Sequence, residues 1–467
     1  MIFHSLTYLV FLAIVLALYW SLPRRGQNLM LILASYVFYG WEHPWFLLPL
    51  WASTLVDYGC ALGMAKFPRR KRLFLVASIG ASVALLGTFK YYGFFVENLN
   101  AILTDFGSEP ISNTFRLVLP AGLSFYTFQS IGYVVDVYRG RVKPVRDLAD
   151  YALYVTFFPQ LVAGPIERAA HMLPQYLTPR RCDAESWRIA LGLMLWGYFK
   201  KVVVADNTAV IANKIFALQD VSFPIIWAGV LAFAVQIYAD FSGYTDIARG
   251  TARLLGIELM VNFNHPYLAT SPADFWRRWH ISLSTWMRDY IYIPLGGSRC
   301  SVLRASFNLM ATFAISGLWH GASWNFVLWG IYWGLLILLE RAAESLGLTS
   351  RIPIWLKIGL TFGAACFGWL LFREHDLGQI AHDLTRSPFS ASLEQWQMAT
   401  YFCVLVLIYS LPMTIHLLVT GIPSWQIETR LSARGRFVTE TVAAALLLLG
   451  IVAFRSIATS DFIYFQF

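Results

Sequence analysis

The apolar residues of this chain fall into long runs separated by short polar segments. The runs cover residues 5–22, 28–41, 45–65, 73–89, 115–134, 149–163, 187–204, 223–239, 306–316, 323–339, 354–372, 399–420 and 439–456. A helix needs about 20 apolar residues to cross a bilayer core of about 30 Å. The longer runs reach that length, and the shorter ones suit re-entrant or half-buried helices. The pattern predicts an all-α polytopic membrane protein, with residues 1–467 as one integral-membrane domain.

Residues 305–339 form the longest stretch without Lys, Arg, Asp or Glu. One unbroken helix over these residues would be roughly 50 Å long, which exceeds the bilayer core. We therefore expect a break, and Gly317 and Gly321 place it around His320. An ionisable imidazole at such a depth is costly, so His320 is a functional candidate. The alternative is a buried histidine that is bonded to a neighbouring carbonyl.

The segment 271–297, SPADFWRRWHISLSTWMRDYIYIPLGG, predicts an amphipathic helix that ends before Pro294. Ser271 is a suitable N-cap and Pro272 a suitable first helical residue. At 100° per residue one face carries Trp276, Trp279, His280, Leu283, Trp286, Met287 and Tyr290, and the other carries Arg277, Arg278, Ser282, Ser284, Thr285, Arg288 and Asp289. Such a helix can lie at the membrane surface. Alternatively, its arginines meet a phosphate-bearing cytosolic ligand while His280 lines a site.

Basic loops indicate the orientation in the membrane. Arginines at 24–25, five basic residues within 66–72, and arginines at 430, 434 and 436 mark cytoplasmic loops, whereas the loop 90–110 is net acidic. Both termini, including Phe467, are then outside. The first run has no basic region before it and is followed by arginines, so we expect it to stay in the membrane rather than to be a cleaved signal peptide.

Composition agrees with a membrane protein. Hydrophobic residues make up 57% of the chain and charged residues 13%, whereas soluble domains carry about 25% charged residues. The net charge of +9 is spread over loops, which favours contact with anionic lipid and excludes nucleic acid as a partner. The five cysteines include no CxxC pair, so we expect neither a disulfide framework nor a metal site.

Charged residues also occur within the apolar runs. Asp246 and Arg249 have the spacing of a helical ion pair, whereas Asp240 has no local partner. A structural network is the favoured role for these three. Lys200 and Lys201 follow Trp196 and Tyr198, which predicts an anchor at the membrane interface.

Six motifs, in this order, resemble those of the membrane-bound O-acyltransferases, in particular the bacterial branch that acetylates alginate and cellulose. They are GLSFYTFQSIGYVVDVYRG (122–140), FFPQLVAGPIER (157–168), QIYADFSGYTDIARG (236–250), NFNHPY (262–267), FWRRWHISLSTWMRDYIYIPLGG (275–297) and GLWHGASWNF (317–326). The terminal FIYFQF also resembles that branch. The resemblance covers nearly the whole chain.

The resemblance implies a fold, a site and an activity. The fold is a ring of transmembrane helices with a thinned centre, where cytosolic and outer funnels meet. His320 matches the catalytic histidine and His280 the second histidine of the family. The donor is a cytosolic thioester, acetyl-CoA in this branch, and no other cofactor is expected. The expected acceptor of the acetyl group is an extracytoplasmic polysaccharide, and periplasmic partner proteins are expected to complete the transfer. The expected location of the protein is the bacterial inner membrane.

The residues are compatible with this chemistry. A neutral imidazole is available at physiological pH and accepts the proton of a hydroxyl that attacks a thioester. We expect Arg277, Arg278 and Arg288 to bind the phosphates of coenzyme A. Trp319 and Asn325 are further substrate-binding candidates, and Asn325 or Trp324 is a candidate oxyanion donor. Direct transfer is favoured over an acyl-enzyme because no Ser or Cys stands out beside His320.

Two other functions remain open at this point. One is D-alanyl transfer to teichoic acid, a related activity with a protein-carried donor. The other is a transporter or channel in which intramembrane Asp, Arg and His residues form an ion path. The polysaccharide and the hydroxyl that is modified are not determined.

Overall fold

The structure, a computed structural model, describes residues 1–111, 118–162, 164–181, 183–218, 220–421, 432–456 and 462–465. Every regular element in these ranges is helical, and none of them contains a strand. The prediction of an all-α protein is confirmed. Arg430 and Phe467, on which part of the orientation prediction depends, lie outside these ranges.

The chain forms two compact units. Unit 1 comprises residues 1–188 and 251–260, and unit 2 comprises residues 189–250 and 261–467. The prediction of one integral-membrane domain is not decided by this division. The helices that begin in unit 1 are α1 (Leu6–Tyr19), α2 (Arg24–Tyr39), α3 (Leu47–Lys66), α4 (Lys71–Leu86), α5 (Tyr92–Asp105), α6 (Leu123–Tyr138), α7 (Leu148–Thr156), α8 (Phe158–Leu161), α9 (Ala169–Leu177) and α10 (Ala184–Phe199).

Buried polar side chains join separate segments within unit 1. Arg180 donates hydrogen bonds to the Tyr19 hydroxyl (2.9 Å) and to Asn28 Oδ1 (2.6 Å). Glu167, which is only 1% exposed, accepts a hydrogen bond from the Met260 amide at 2.6 Å. These bonds satisfy polar groups that would be costly to bury alone.

The remaining helices begin in unit 2. They are α11 (Asp206–Phe216), α12 (Phe223–Leu254), α13 (Pro272–Arg278), α14 (Ile281–Met287), α15 (Val302–His320), α16 (Trp324–Ser345), α17 (Ile354–Arg373), α18 (Leu377–Thr385), α19 (Leu393–Gly421) and α20 (Ala433–Phe454). Single π turns follow three helices, at Gly87–Tyr91, Lys200–Ala205 and Arg288–Tyr292.

Among the described residues, seven helical segments are long and apolar enough to cross a membrane. They are Pro44–Lys66, Pro68–Asp105, Phe223–Leu254, Trp324–Ser345, Ile354–Arg373, Leu393–Gly421 and Phe437–Phe454. The protein is therefore a multi-pass membrane protein, as predicted. Its orientation in the membrane stays a prediction.

The two lysines after α10 are not an interfacial anchor, so that prediction is wrong. Lys201 is fully buried between Asp206 and Asp240, with Nζ–Oδ1 distances of 2.9 and 2.8 Å. Lys200 pairs with Asp246 at 2.7 Å. Two of the three aspartates, Asp240 and Asp246, lie on α12, about 40 residues further along the chain. The spacing of neighbouring residues does not reveal pairs at such a separation. Asp240 thus has the structural partner that the sequence did not show.

The buried Lys201 group predicts a large stability loss on substitution. Lys201→Met removes the cation and leaves two carboxylates buried without it, so we expect a loss of about 3–5 kcal/mol. Thermal unfolding of the detergent-solubilised protein measures this. Lys214→Met, at an exposed position on α11, is the matched control and should leave the melting temperature unchanged. Equal melting temperatures for both variants would contradict a structural role of the Lys201 group.

Candidate active site

The site is built on a break between α15 and α16. Helix α15 ends at His320, Gly321 is extended (φ −159°), and α16 begins at Trp324. The predicted break is confirmed at residues 321–323. Gly317 lies inside α15 instead, where a Cβ atom would collide with the Phe326 carbonyl of α16. Glycine at this position therefore lets the two helices approach closely.

Aromatic rings surround the His320 imidazole. Its side chain is almost fully buried, and the ring centroids of Trp319, Trp329, Phe372 and Tyr464 lie 4.9, 5.0, 5.3 and 5.7 Å away. Rings at these distances exclude bulk water from the imidazole. A reactive group held beside His320 would thereby be protected from hydrolysis.

The prediction of one helix from Pro272 to a point before Pro294 is wrong, because two short helices, α13 and α14, replace it. Ser271 caps α13 by accepting a hydrogen bond from the Asp274 amide, and Pro272 is its first residue, as predicted. The chain then breaks at Trp279 and His280, and His280 has a left-handed backbone (φ +43°). The predicted apolar face is nevertheless buried, at Trp276, Trp279, His280, Leu283, Trp286 and Met287.

Asn262 explains the break. Its backbone carbonyl accepts a hydrogen bond from the Ile281 amide (2.9 Å), and its Oδ1 accepts bonds from the Ser282 amide (3.2 Å) and hydroxyl (2.7 Å). These bonds satisfy amides at the start of α14, which have no partner within the helix. The periodicity of residues 271–297 does not reveal these hydrogen bonds, because Asn262 lies outside that segment.

The break points the second histidine into the same cluster. His280 is fully buried, with ring centroids of Phe241, Trp319 and Tyr464 at 4.7, 6.1 and 6.4 Å. Its Nδ1 lies 3.4 Å from Asn262 Oδ1. Burial lowers the pKa of His280 to about 3, so its imidazole is neutral at physiological pH.

Tyr464 is the site residue that the sequence reasoning missed. It lies in a short turn at Ile463–Phe465, and its ring contacts both His280 and His320. The Ile463 amide donates a 2.7 Å hydrogen bond to Asp240, which fixes the turn to α12. The signal in the sequence is the terminal FIYFQF motif, which contains Tyr464 and resembles the same branch of the family.

The predicted phosphate-binding arginines lie away from the aromatic cluster. Arg277 and Arg278 both pair with Asp274, at 3.5 and 3.0 Å, and Arg288 pairs with Asp289 at 2.8 Å. The Arg277 and Arg288 side chains are more than half exposed, and that of Arg278 is 30% exposed. Exposed guanidinium groups remain able to meet an arriving anion, and donor binding by them stays a prediction.

Trp319 and Asn325 differ in their positions relative to the histidines. Trp319 is buried between His280 and His320 and contacts both rings. Asn325 Nδ2 donates to the carbonyls of Leu371 (3.2 Å) and Phe372 (3.4 Å). This geometry favours a positioning role for Asn325, since its amide holds the end of α17 that presents Phe372 to His320. Substrate contact by either residue remains a prediction.

A cleft of about 190 Å³ is lined by residues of α13, α14, α15 and α16. Arg288 and Arg341 line it together with the apolar side chains of Leu283, Met287, Leu309, Phe313 and Ile337. Ser316 also lines it, one helical turn before His320 on α15. The cleft can therefore hold a narrow chain with a charged group at one end.

The described residues show no group of three or more His, Cys, Asp or Glu side chains that is arranged to hold a metal ion. The chemical resources of the cluster are instead two imidazoles, a phenol and a surrounding aromatic wall. An imidazole is suited to proton transfer to or from an oxygen that reacts beside it. The site is thus equipped for general base catalysis away from water.

Comparison with known proteins identifies related chains. The model of the membrane-bound O-acyltransferase family matches residues 141–372. A probable alginate O-acetylase of Pseudomonas aeruginosa is 40% identical over 403 residues, which cover 85% of this chain and 76% of that protein. A peptidoglycan O-acetyltransferase of Helicobacter pylori is 38% identical over 398 residues, covering 77% and 74%. A teichoic acid D-alanyltransferase of Bacillus subtilis is 26% identical over 286 residues, covering 56% and 71%.

The close approach at Gly317 predicts a position-specific cost for an added methyl group. Gly317→Ala forces α15 and α16 apart at the turn before His320, and we expect a loss of about 1–3 kcal/mol from overpacking. Gly359→Ala on α17 is the matched control, since a Cβ atom there meets nothing within 4 Å. Thermal unfolding in detergent should show a lower melting temperature for the first variant alone. A stable Gly317→Ala protein would contradict the importance of this contact.

Proposed function

Since the chain belongs to the membrane-bound O-acyltransferase family and is an acyltransferase, we propose that it transfers acetyl groups to a polysaccharide. The donor is cytosolic acetyl-CoA, and the acceptor is an extracytoplasmic exopolysaccharide of the alginate or cellulose type. The protein works in the bacterial inner membrane with periplasmic partner proteins that complete the transfer. Two relatives support the acetyl group and the polymer as acceptor: one named a probable alginate O-acetylase, at 40% identity, and one named a peptidoglycan O-acetyltransferase, at 38% identity.

The observation that carries the proposal is the position of His320. Its imidazole lies at a helix break, buried among aromatic rings. Two of these rings, Trp319 and Tyr464, also contact a second, neutral imidazole, that of His280. In the proposed reaction His320 accepts the proton of an attacking hydroxyl while the oxygen forms a bond with the thioester carbonyl carbon. The carbon–sulfur bond breaks, and the proton passes to the sulfur of coenzyme A.

The cleft beside α13 and α14 supports the donor assignment. Its Arg288 and Arg341 side chains suit the phosphates of coenzyme A, because guanidinium groups bind phosphate through paired hydrogen bonds. Its apolar walls suit the narrow arm that carries the thioester. Arg277 and Arg278 both lie on α13, whose residues also line this cleft, and they add positive charge near it.

Tyr464 offers a second route for the acetyl group. In direct transfer the attacking hydroxyl belongs to the polymer. In a relay, the Tyr464 hydroxyl attacks the thioester carbonyl carbon and loses its proton to His320, the carbon–sulfur bond breaks, and the proton passes to the sulfur of coenzyme A. A hydroxyl of a partner protein then attacks the acetyl ester on Tyr464 and restores the phenol. The contact of the Tyr464 ring with both histidines supports including this route.

D-alanyl transfer to teichoic acid is the second candidate function. The match to a D-alanyltransferase supports it, but at 26% identity and over only 56% of this chain. The O-acetylases match more of the chain at higher identity, so acetyl transfer is the better proposal. An assay of the purified protein with acetyl-CoA, in the presence of the partner proteins, separates the two donors.

His320 is predicted to be required for transfer and not for folding. His320→Ala should retain membrane insertion and a melting temperature close to that of the wild type, yet abolish acetyl incorporation into polymer. Radiolabelled acetyl-CoA and cells that express the variant measure this. His382→Ala, at a half-exposed histidine on α18, is the matched control and should stay active.

Near-normal acetylation by a well-expressed His320→Ala protein would remove this residue from the mechanism. The same assay on Tyr464→Phe, which deletes only the hydroxyl, separates the two routes. Loss of activity favours the relay through Tyr464, and full activity favours direct transfer.

Arg288 is predicted to aid donor binding. Arg288→Gln removes one charged contact to phosphate, so we expect the KM for acetyl-CoA to rise about tenfold with kcat little changed. Arg278→Gln should act in the same direction. Arg304→Gln on α15, where the guanidinium stacks over Phe307, is the control and should leave KM unchanged. Unaltered KM values in Arg277, Arg278 and Arg288 variants would instead favour a membrane-surface role for this segment.

A further inference from the structure

A second cavity, of about 520 Å³, lies in unit 2. It is formed by α10 with its π turn, by α12 and α19, and by the segment that precedes α13. Among the described residues that line it are neither of the two site histidines nor Tyr464. The polar and aromatic residues that decide its chemistry are Trp196, Lys200, Thr245, Asp246, Arg249 and His416.

The charges at this cavity do not balance. The Asp246 carboxylate is shared by two cations, with Lys200 Nζ at 2.7 Å and Arg249 Nη1 at 3.2 Å. Lys200 is about 95% buried, and its ammonium also donates to the Ser242 hydroxyl at 3.0 Å. One positive charge therefore remains uncompensated beside the cavity. The opposite surplus, at Lys201 with its two aspartates, lies in a separate buried group that does not line the cavity.

Two hydrogen-bond donors at the cavity are unused. Arg249 Nε is buried and makes no hydrogen bond, so one edge of the guanidinium is not engaged by Asp246. The Thr245 hydroxyl, on a residue that is 2% exposed, likewise has no partner. Buried donors without acceptors are costly, and a bound acceptor would remove that cost. A guanidinium edge, an ammonium and a hydroxyl together suit a tetrahedral, multiply charged oxyanion.

The opposite wall of the cavity adds neutral donors and apolar surface. His265 has a left-handed backbone (φ +47°), which is strained for a residue with a side chain, and Thr420 lies 3.3 Å from its Nε2. Burial, with Arg278 and Lys200 nearby, lowers the pKa of His265, so this imidazole adds no charge. Trp196 packs on His416 at 4.9 Å, and Met413 and Leu417 continue the apolar wall.

We propose that this cavity binds a phosphoryl group that is attached to an organic body. The phosphate oxygens accept hydrogen bonds from Arg249, Lys200 and Thr245, and the remainder of the ligand lies against Trp196 and the side chains of α19. The site is distinct from the donor cleft at Arg288, and it does not depend on the proposed acetyl transfer. The ligand is either the headgroup of an anionic lipid or a soluble phosphate compound.

The test compares two sources of phosphate by thermal unfolding. The purified protein is reconstituted in nanodiscs of phosphatidylcholine alone or with phosphatidylglycerol, and in detergent with increasing inorganic phosphate. A ligand that binds the folded state raises the melting temperature in proportion to its occupancy. We expect one of the two sources to stabilise the wild type and the His320→Ala variant equally.

Two variants locate the effect. Arg249→Gln removes the unengaged guanidinium edge, while Lys200 still pairs with Asp246, and Thr245→Val removes a hydroxyl at constant shape. Each should weaken the apparent affinity about tenfold. Arg304→Gln is the control and should bind as the wild type does. Stabilisation by phosphatidylglycerol alone identifies a lipid site, and stabilisation by inorganic phosphate identifies a soluble ligand.

The proposal is overturned by either of two results. One is that neither phosphate source stabilises the wild type. The other is that Thr245→Val, which should fold normally, responds as strongly as the wild type. If Arg249→Gln does not fold, the Thr245 comparison decides alone.

Discussion

The ion pairing of Lys201 is the interaction on which the site in unit 2 depends. Burying a lysine between two aspartates is costly unless every charge is met, and here the ammonium contacts both carboxylates. Asp240 does more than compensate charge, because its second oxygen accepts the hydrogen bond of the Ile463 amide. The same carboxylate thus holds α12, the π turn after α10 and the turn that carries Tyr464. The position of the phenol in contact with both histidines therefore depends on this buried ion pair.

The aromatic side chains around His320 pack the protein interior and also determine the surroundings of the imidazole. Trp319, Trp329 and Phe372 fill space at van der Waals density and remove water from the imidazole. Asn325 contributes indirectly, since it bonds the carbonyls at the end of α17 and so holds Phe372 beside His320. Burial of these residues therefore stabilises the fold and keeps bulk water away from the imidazole at the same time.

The sequence predicted those features that depend on local pattern. The apolar runs predicted the helices, the charge-free stretch predicted the break after His320, and Ser271 with Pro272 predicted the start of α13. It failed where distant residues decide the outcome. Asn262 breaks the expected helix at His280 from 18 residues away, and aspartates on α12 turn two lysines from an expected surface anchor into buried ion pairs. Tyr464 reaches the site from nearly 150 residues beyond His320, and no spacing within the histidine motif points to it.

The two lysines after α10 show how one segment can serve two purposes. Consecutive residues on a helix point about 100° apart, so Lys200 and Lys201 face different surroundings. Lys201 meets two carboxylates and is fully engaged, which leaves its group with a surplus negative charge. Lys200 meets one carboxylate that it shares with Arg249, which leaves a surplus positive charge beside an open cavity. The Lys201 group is therefore fully buried and supports the turn that carries Tyr464. The Lys200 group lines the cavity, where its positive charge can attract an anion.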